Sequence, residues 1–202
     1  MRLVLTSSGI QGKVARYLER LAGPFKPMKV AVITSATLDS SAWVYVGDVK
    51  KELVKSGFKR DSIKVFTLDK RFPVSAFDKH DVVYSCGGNT FLIRDRMRKT
   101  GFDKAIQRFV KRNGIYVGVS AGSIIAGPDI TIAGWGSEGD TNDIRLKNMK
   151  GLGFCDIAVF PHYRPVLRKE VQGFRKKAPY PVVELADGQA LFLWDDETKL
   201  VR

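Results

Sequence analysis

The chain of 202 residues has only two cysteines and two histidines. Two cysteines cannot build a disulfide framework. Cys86 and Cys155 both stand in apolar, strand-like surroundings, so buried free thiols are expected. No stretch approaches the roughly 20 consecutive apolar residues that span a bilayer, so no membrane partner is expected. Met1 to Thr6 carries one charge and a short apolar run. It is too short for the apolar region of a signal peptide and reads as a first strand. Repeats, linkers and low-complexity segments are absent, which predicts one domain over residues 1–202. A cytoplasmic protein fits these features.

Acidic residues are also scarce. There are 21 Asp and Glu against 34 Lys and Arg, a formal net charge of +13. Such a charge attracts nucleic acid or anionic surfaces without specificity. The basic residues are spread, however, over Lys50-Lys51, Lys59-Arg60, Arg94 to Lys99, Lys111-Arg112, Arg168-Lys169 and Arg175 to Lys177. Most fall on amphipathic patterns, where a solvated face is the ordinary explanation. No basic motif interleaved with aromatics and no zinc-ligand spacing is present, so no specific nucleic-acid partner is expected. The hydrophobic fraction of 44% and charged fraction of 27% are those of a globular domain.

Short apolar runs alternate with helical patterns. Strands are expected at Leu3-Leu5, Val30-Ile33, Ile63-Phe66, Val82-Ser85 and Ile115-Val119. Helices are expected near Lys13-Leu21, Ala42-Ser56 and Phe102-Lys111. In the second helix Val46, Val49, Leu53 and Val54 fall on one face. This alternation predicts an α/β fold, with a mainly parallel sheet and helices on both faces. The loops after the strands then gather on one edge, where α/β sites form. Later come a Gly/Asp/Ser-rich loop at Gly134 to Asn142, a strand at Ile157-Phe160 and a helix at Val166-Lys176. Strands follow at Val182-Leu185 and Ala190-Trp194, and a turn at Asp195 to Thr198 leads into a terminal strand.

The segment Gly118-Val119-Ser120-Ala121-Gly122 follows the apolar run Ile115-Tyr116-Val117. It reads as a nucleophile elbow: a strand-to-helix turn tight enough to need glycine on both sides, which presents the Ser120 hydroxyl at the carboxyl end of a sheet. A serine nucleophile needs a base, and the base an orienting acid. His80 sits in a polar connector before a strand and reads as a solvent-facing linker residue. His162 lies just past the end of an apolar run, on the edge where Ser120 should emerge, and is the expected base. Acid candidates between the two are Asp129, Glu138, Asp140, Asp143 and Asp156, and the residue pattern does not choose among them. The loop Cys86-Gly87-Gly88-Asn89-Thr90 follows another strand, and Thr90 is expected to cap the helix that starts at Phe91. Its paired glycines let backbone approach a ligand, and one amide there plus that of Ala121 would form an oxyanion hole. The spacing matches neither Walker A nor G-x-G-x-x-G, the phosphate-loop alternatives.

Together Gly87-Gly88-Asn89-Thr90-Phe91, Gly118-Val119-Ser120-Ala121-Gly122, Thr141-Asn142-Asp143 and Pro161-His162-Tyr163 resemble the aspartyl dipeptidase family, dipeptidase E and its relatives, including cyanophycinases. The resemblance extends to Ala178-Pro179 and Asp187-Gly188. It implies a class I glutamine-amidotransferase-like, flavodoxin-like sandwich in which serine replaces the usual cysteine. It implies a triad of Ser120, His162 and Asp143, with Glu138 in reserve, and an oxyanion hole from Gly88 and Ala121. Asn89 and Thr90 become substrate-binding residues. No metal and no other cofactor is implied. The implied activity removes an amino-terminal aspartate from dipeptides, and Arg168 stands near the place for a residue that grips the acidic side chain, with Arg175 seven residues on. Cys86 departs from the glycine of many relatives, which is tolerable where only the following amides work. The expected substrate is a short, acidic peptide, and the oligomeric state is left as monomer or homodimer. The rival readings are a hydrolase of another small amide and a non-catalytic amidotransferase-like binding module.

Overall fold

Alternating strands and amphipathic helices close into one seven-stranded sheet flanked by helices. The computed structural model describes residues 1–34 and 40–202. Its strands are β1 (Arg2–Thr6), β2 (Val30–Thr34), β3 (Ile63–Thr67), β4 (Val82–Ser85), β5 (Ile115–Val119), β6 (Ala158–Phe160), β7 (Val182–Glu184), β8 (Ala190–Trp194) and β9 (Glu197–Val201). Its α-helices are α1 (Gly12–Ala22), α2 (Ser40–Lys55), α3 (Thr90–Thr100), α4 (Phe102–Lys111), α5 (Ala121–Ala126) and α6 (Arg168–Arg175). The sheet order is β3-β2-β4-β5-β1-β8-β9, and β6 pairs with β7 in a separate two-stranded sheet. The first five strands of the large sheet pair in parallel, whereas β8 runs antiparallel to β1 and β9 antiparallel to β8.

The strands feed two cores because side chains alternate between faces. Leu3, Leu5, Ala31, Ile33, Val83 and Tyr116 join one core, with residues of α3, α4 and α5. Val4, Val30, Val32, Val82, Ile115 and Val117 join the other, with Val14 and Leu18 of α1 and Val49 and Leu53 of α2. Helix α4 shows why it packs so well: Phe102, Ala105, Ile106 and Phe109 recur at helical spacing and are all buried. On α2 the expected face narrows, since Val46, Val49 and Leu53 are buried but Val54 is exposed.

Two boundaries differ from expectation for local reasons. Asn89, not Thr90, caps α3, accepting the Leu92 amide at 3.0 Å on its side-chain oxygen. The expected helix Val166–Lys176 splits into a 3₁₀ turn, Pro165–Leu167, and α6.

The order places three neighbours, β4, β5 and β1, in the middle of the sheet with their carboxyl ends on one edge. Strand β8 runs the other way, and Ala190 pairs with Thr6. The turn leading into β8 therefore reaches the same edge. Strand β6 brings His162 there too, tied by the Leu185 amide to the Phe160 carbonyl and by the Tyr163 amide to the Leu185 carbonyl.

Candidate active site

The turn at Ser120 is as tight as the glycines suggested. Ser120 adopts φ 49° and ψ −112°, a left-handed conformation that costs a non-glycine residue free energy. A Cβ on Gly118 would lie 2.6 Å from the Gly122 carbonyl oxygen, and one on Gly122 would lie 2.3 Å from that of Ser85. Both positions therefore exclude any side chain. Buried hydroxyls hold the turn. Ser123 Oγ lies within reach of two carbonyl acceptors, Thr6 at 2.8 Å and Gly118 at 2.7 Å, for its one proton, and Tyr116 Oη donates to the Gly122 carbonyl at 2.8 Å.

His162 Nε2 lies 2.9 Å from Ser120 Oγ. Its other nitrogen, Nδ1, lies 2.8 Å from Oδ1 of Asp187. An ionised carboxylate only accepts, so Nδ1 carries the proton and Nε2 is left to accept from Ser120. His162 itself has a positive φ of 54°. The histidine and aspartate side chains are largely open to solvent, at 52% and 66% exposure.

Ser7, fully buried at the end of β1, joins these groups. Its hydroxyl donates to Asp187 Oδ1 at 2.7 Å and accepts the backbone amide of His162 at 2.8 Å. The Ser7 hydrogen bond, with help from His162, holds the Asp187 carboxyl below its ordinary pKa. Next to Ser7, the Gly188 amide donates to Ser8 Oγ at 2.9 Å. The same loop is anchored by Glu52, which accepts from the Ile10 amide at 2.8 Å and from Tyr84 Oη at 3.1 Å. Burial pushes the Glu52 carboxyl above its ordinary pKa.

The acid facing His162 is thus Asp187 and not Asp143. Asp143 is exposed and accepts from Thr141 Oγ1 at 2.8 Å. The reason is where its loop is tied. Asn89 Nδ2 donates to the Thr141 carbonyl at 2.8 Å, the Thr90 amide to Asp140 Oδ2 at 2.8 Å, and the Leu146 amide to Asn142 Oδ1 at 2.8 Å. The first two bonds moor the loop to the start of α3 and the third braces it internally, whereas Nδ1 of His162 faces the β1–β8 side. Glu138, the reserve acid, pairs with Arg164. The expected acids all lie between serine and histidine, and Asp187 lies beyond them. An Asp-Gly turn just before an apolar strand was the available signal, as was the polar run Thr6-Ser7-Ser8 closing the first strand.

A cavity of about 270 Å³ opens beside Ser120 and His162. Gly88 and Thr90 line it, together with Ile124, Ile132, Trp135, Phe160 and Leu167. Ala121 begins α5, so its amide has no acceptor within the helix, while the Gly87 amide meets Tyr45 Oη at 3.3 Å. Gly88 has φ +132°, a conformation that glycine alone adopts easily. Asn89 is occupied as cap and loop tether rather than lining the cavity. Arg168 is exposed and not part of the lining; Glu138, Asp140 and Glu170 are. Arg175 bonds to the Val182 carbonyl and Glu184. His80 precedes β4, at the opposite edge of the sheet. It is half-buried against Phe66 and Phe77 rather than solvent-facing, and burial lowers its pKa. Both cysteines are free and buried, and burial pushes the Cys86 thiol up to about 12. Among the described residues no group of three or more His, Cys, Asp or Glu could hold a metal ion.

The sequence model of peptidase family S51 matches residues 3–201. An uncharacterized peptidase of Pasteurella multocida is 24% identical over 90% of this chain and 88% of its own length. Peptidase E of Salmonella arizonae is 31% identical, over half of this chain and 42% of that protein. The crystal structure of a candidate peptidase E protein from Listeria monocytogenes matches all of this chain and 98% of its own, with a TM-score of 0.78 and 25% identity. A peptidase from an acI-B1 actinobacterium shares the fold, with a TM-score of 0.68 at 16% identity over 99% of this chain and 86% of its own.

Proposed function

The chain belongs to peptidase family S51, and from that premise we propose that it hydrolyses short peptides through an acyl-enzyme on Ser120, with His162 as base and Asp187 as orienting acid. The observation that carries this reading is the single histidine bridging the elbow serine and a carboxylate, at 2.9 and 2.8 Å. Ser120 Oγ attacks the scissile carbonyl as Nε2 takes its proton. The imidazolium that forms faces Asp187, which stabilises it and fixes the tautomer. The amides of Gly88 and Ala121 receive the oxyanion. Nε2 then returns the proton to the leaving amine, and water enters by the same base to release the acyl group. The elbow strain aims the hydroxyl away from its own strand and towards the cavity. A cavity of about 270 Å³ suits one side chain of a short peptide better than a folded protein.

Preference for an amino-terminal aspartate rests on the family resemblance. Arg168, the side chain expected to hold it, stands outside the cavity lining, so the aspartyl preference has no cation of that kind behind it.

The test is covalent labelling. A fluorophosphonate should label the wild-type protein stoichiometrically and leave Ser120→Ala unlabelled. Dipeptide turnover should fall in that variant by about 10⁶, the scale for loss of a triad nucleophile. A wild-type protein that neither labels nor turns over dipeptides would refute the peptidase reading and favour a binding module.

A further inference from the structure

Resting on the peptidase reading, we propose that the cavity beside Ser120 selects peptides with a protonated amino terminus and an uncharged first side chain, and disfavours an acidic one. Three observations lead there. The first is charge. Glu138, Asp140 and Glu170 line the cavity, and no lysine or arginine does. Glu138 is neutralised by Arg164, but Asp140 and Glu170 have no cationic partner among the described residues. Their contacts are neutral donors: the Thr90 amide for Asp140, and the amide and hydroxyl of Ser137 for Glu170. Two carboxylates thus keep a net negative charge at the substrate cavity.

The second observation points to a ligand. Thr90 lines the same cavity and is fully buried, yet its Oγ1 has no hydrogen-bond partner among the described residues. A buried hydroxyl left unpaired is costly, and native structures rarely tolerate one without a use. An ammonium bound against Thr90 would donate to this hydroxyl once its side chain turns towards the cavity. The third observation is the remaining surface. Ile124, Ile132, Phe160 and Leu167 form an apolar wall that favours an uncharged first side chain.

Geometry joins the three. In a peptide cut after its first residue, the ammonium is two bonds from the carbonyl carbon that Ser120 attacks. It must lie in this cavity when that carbon meets Ser120. The start of α3 would otherwise favour an anion, but Asp140 already accepts its Thr90 amide. An incoming aspartate would place a further negative charge beside two uncompensated carboxylates. The positive charge of the whole protein does not offset this, because exposed charges beyond about 8 Å are largely screened at physiological salt.

Initial rates on Leu-Leu, acetyl-Leu-Leu, Lys-Leu and Asp-Leu, with fluorophosphonate labelling in parallel, test the proposal. Leu-Leu should exceed both acetyl-Leu-Leu and Asp-Leu in kcat/KM by more than about tenfold, equivalent to about 1.4 kcal/mol. Lys-Leu should not exceed Leu-Leu. Asp140→Asn and Glu170→Gln should still label and should narrow the gap between Leu-Leu and Asp-Leu. Calorimetric binding of the same peptides to Ser120→Ala should follow the same order, which keeps the test independent of turnover. Labelling with equal or faster cleavage of Asp-Leu or acetyl-Leu-Leu, or with faster cleavage of Lys-Leu, relative to Leu-Leu would overturn the inference and leave the peptidase standing. Absence of labelling would instead remove the peptidase reading, and the binding order would then decide the cavity's preference alone.

Discussion

The serine half and the acid half of the site are built in opposite ways. The serine half is local and buried: Ala121 to Ala126 behind the elbow are all buried, and two glycines within five residues set the geometry. The acid half is assembled from distant segments and is open to solvent. His162 and Asp187 are 25 positions apart, and Ser7, which links them, is 180 positions from Asp187. Local constraint places the serine. Strand order places its partners, because only an antiparallel β8 beside β1 brings the Asp187 turn to the Ser7 end of the sheet.

The sharpest way to break this comparison is to remove the acid. Asp187→Asn should lower dipeptide turnover by about 10⁴, the scale for losing the carboxylate that fixes the histidine tautomer. Asp143→Asn should stay close to wild type. Steady-state kcat for the two variants decides, and the reverse result would return the role to the loop before His162.

Ser7→Ala is a smaller intrusion into the same half. It leaves the His162 amide without its acceptor and takes from Asp187 its hydroxyl donor. A group left unpaired in this way costs about 1–3 kcal/mol. A loss of about tenfold to a hundredfold in kcat is expected at about 1.4 kcal/mol per decade. The Asp187 carboxyl should also titrate at higher pH in this variant, read by NMR of the carboxyl carbon, since Ser7 is the main cause of its low pKa. An unmoved carboxyl titration would make Ser7 a packing residue only.

On the serine side, Gly122→Ala should damage stability instead. Its Cβ would stand 2.3 Å from the Ser85 carbonyl oxygen, which the turn cannot absorb without shifting. Overpacking of this kind costs about 1–3 kcal/mol. A drop of about 2–4 °C in Tm per kcal/mol should be visible by calorimetry. An unchanged Tm would show that the elbow is less rigid than its contacts imply.

The smallest expected effect is on stability against pH. The Asp187 carboxyl is held below its ordinary value of 3.8 in the folded protein. Its contribution to stability is therefore present above that value and is lost as pH falls through the lower folded one. The side chain is largely exposed, so solvent screening keeps the effect below about 1 kcal/mol. Urea unfolding of wild type and Asp187→Asn should differ slightly at neutral pH and converge in strong acid.

Much of the fold could be read because its signals are short-range. The expected strands Val82-Ser85, Ile115-Val119 and Ala190-Trp194 and the helix Phe102-Lys111 coincide with the observed elements. Each is marked by its own periodicity and bounded by polar or glycine residues. His162 was legible because there were only two histidines and one followed a strand. The acid was not, because five carboxylates lie between Ser120 and His162 and nothing local separates a moored loop aspartate from one that meets the histidine. The expectation for Arg168 rests on helical spacing, which gives a face, whereas the 3₁₀ turn before α6 leaves that residue exposed and outside the cavity lining.

The sequence by itself determined the elbow. Gly118 and Gly122 flank Ser120 where any Cβ would collide with backbone, and that constraint is written in five consecutive residues. It also determined the alternating α/β pattern, because buried strands and amphipathic helices carry different periods. Tertiary structure alone decided which carboxylate meets His162, which hydroxyl holds both, and which charges line the cavity. Those outcomes depend on the order and direction of strands whose pairing joins residues far apart in the chain, and no local period encodes that order.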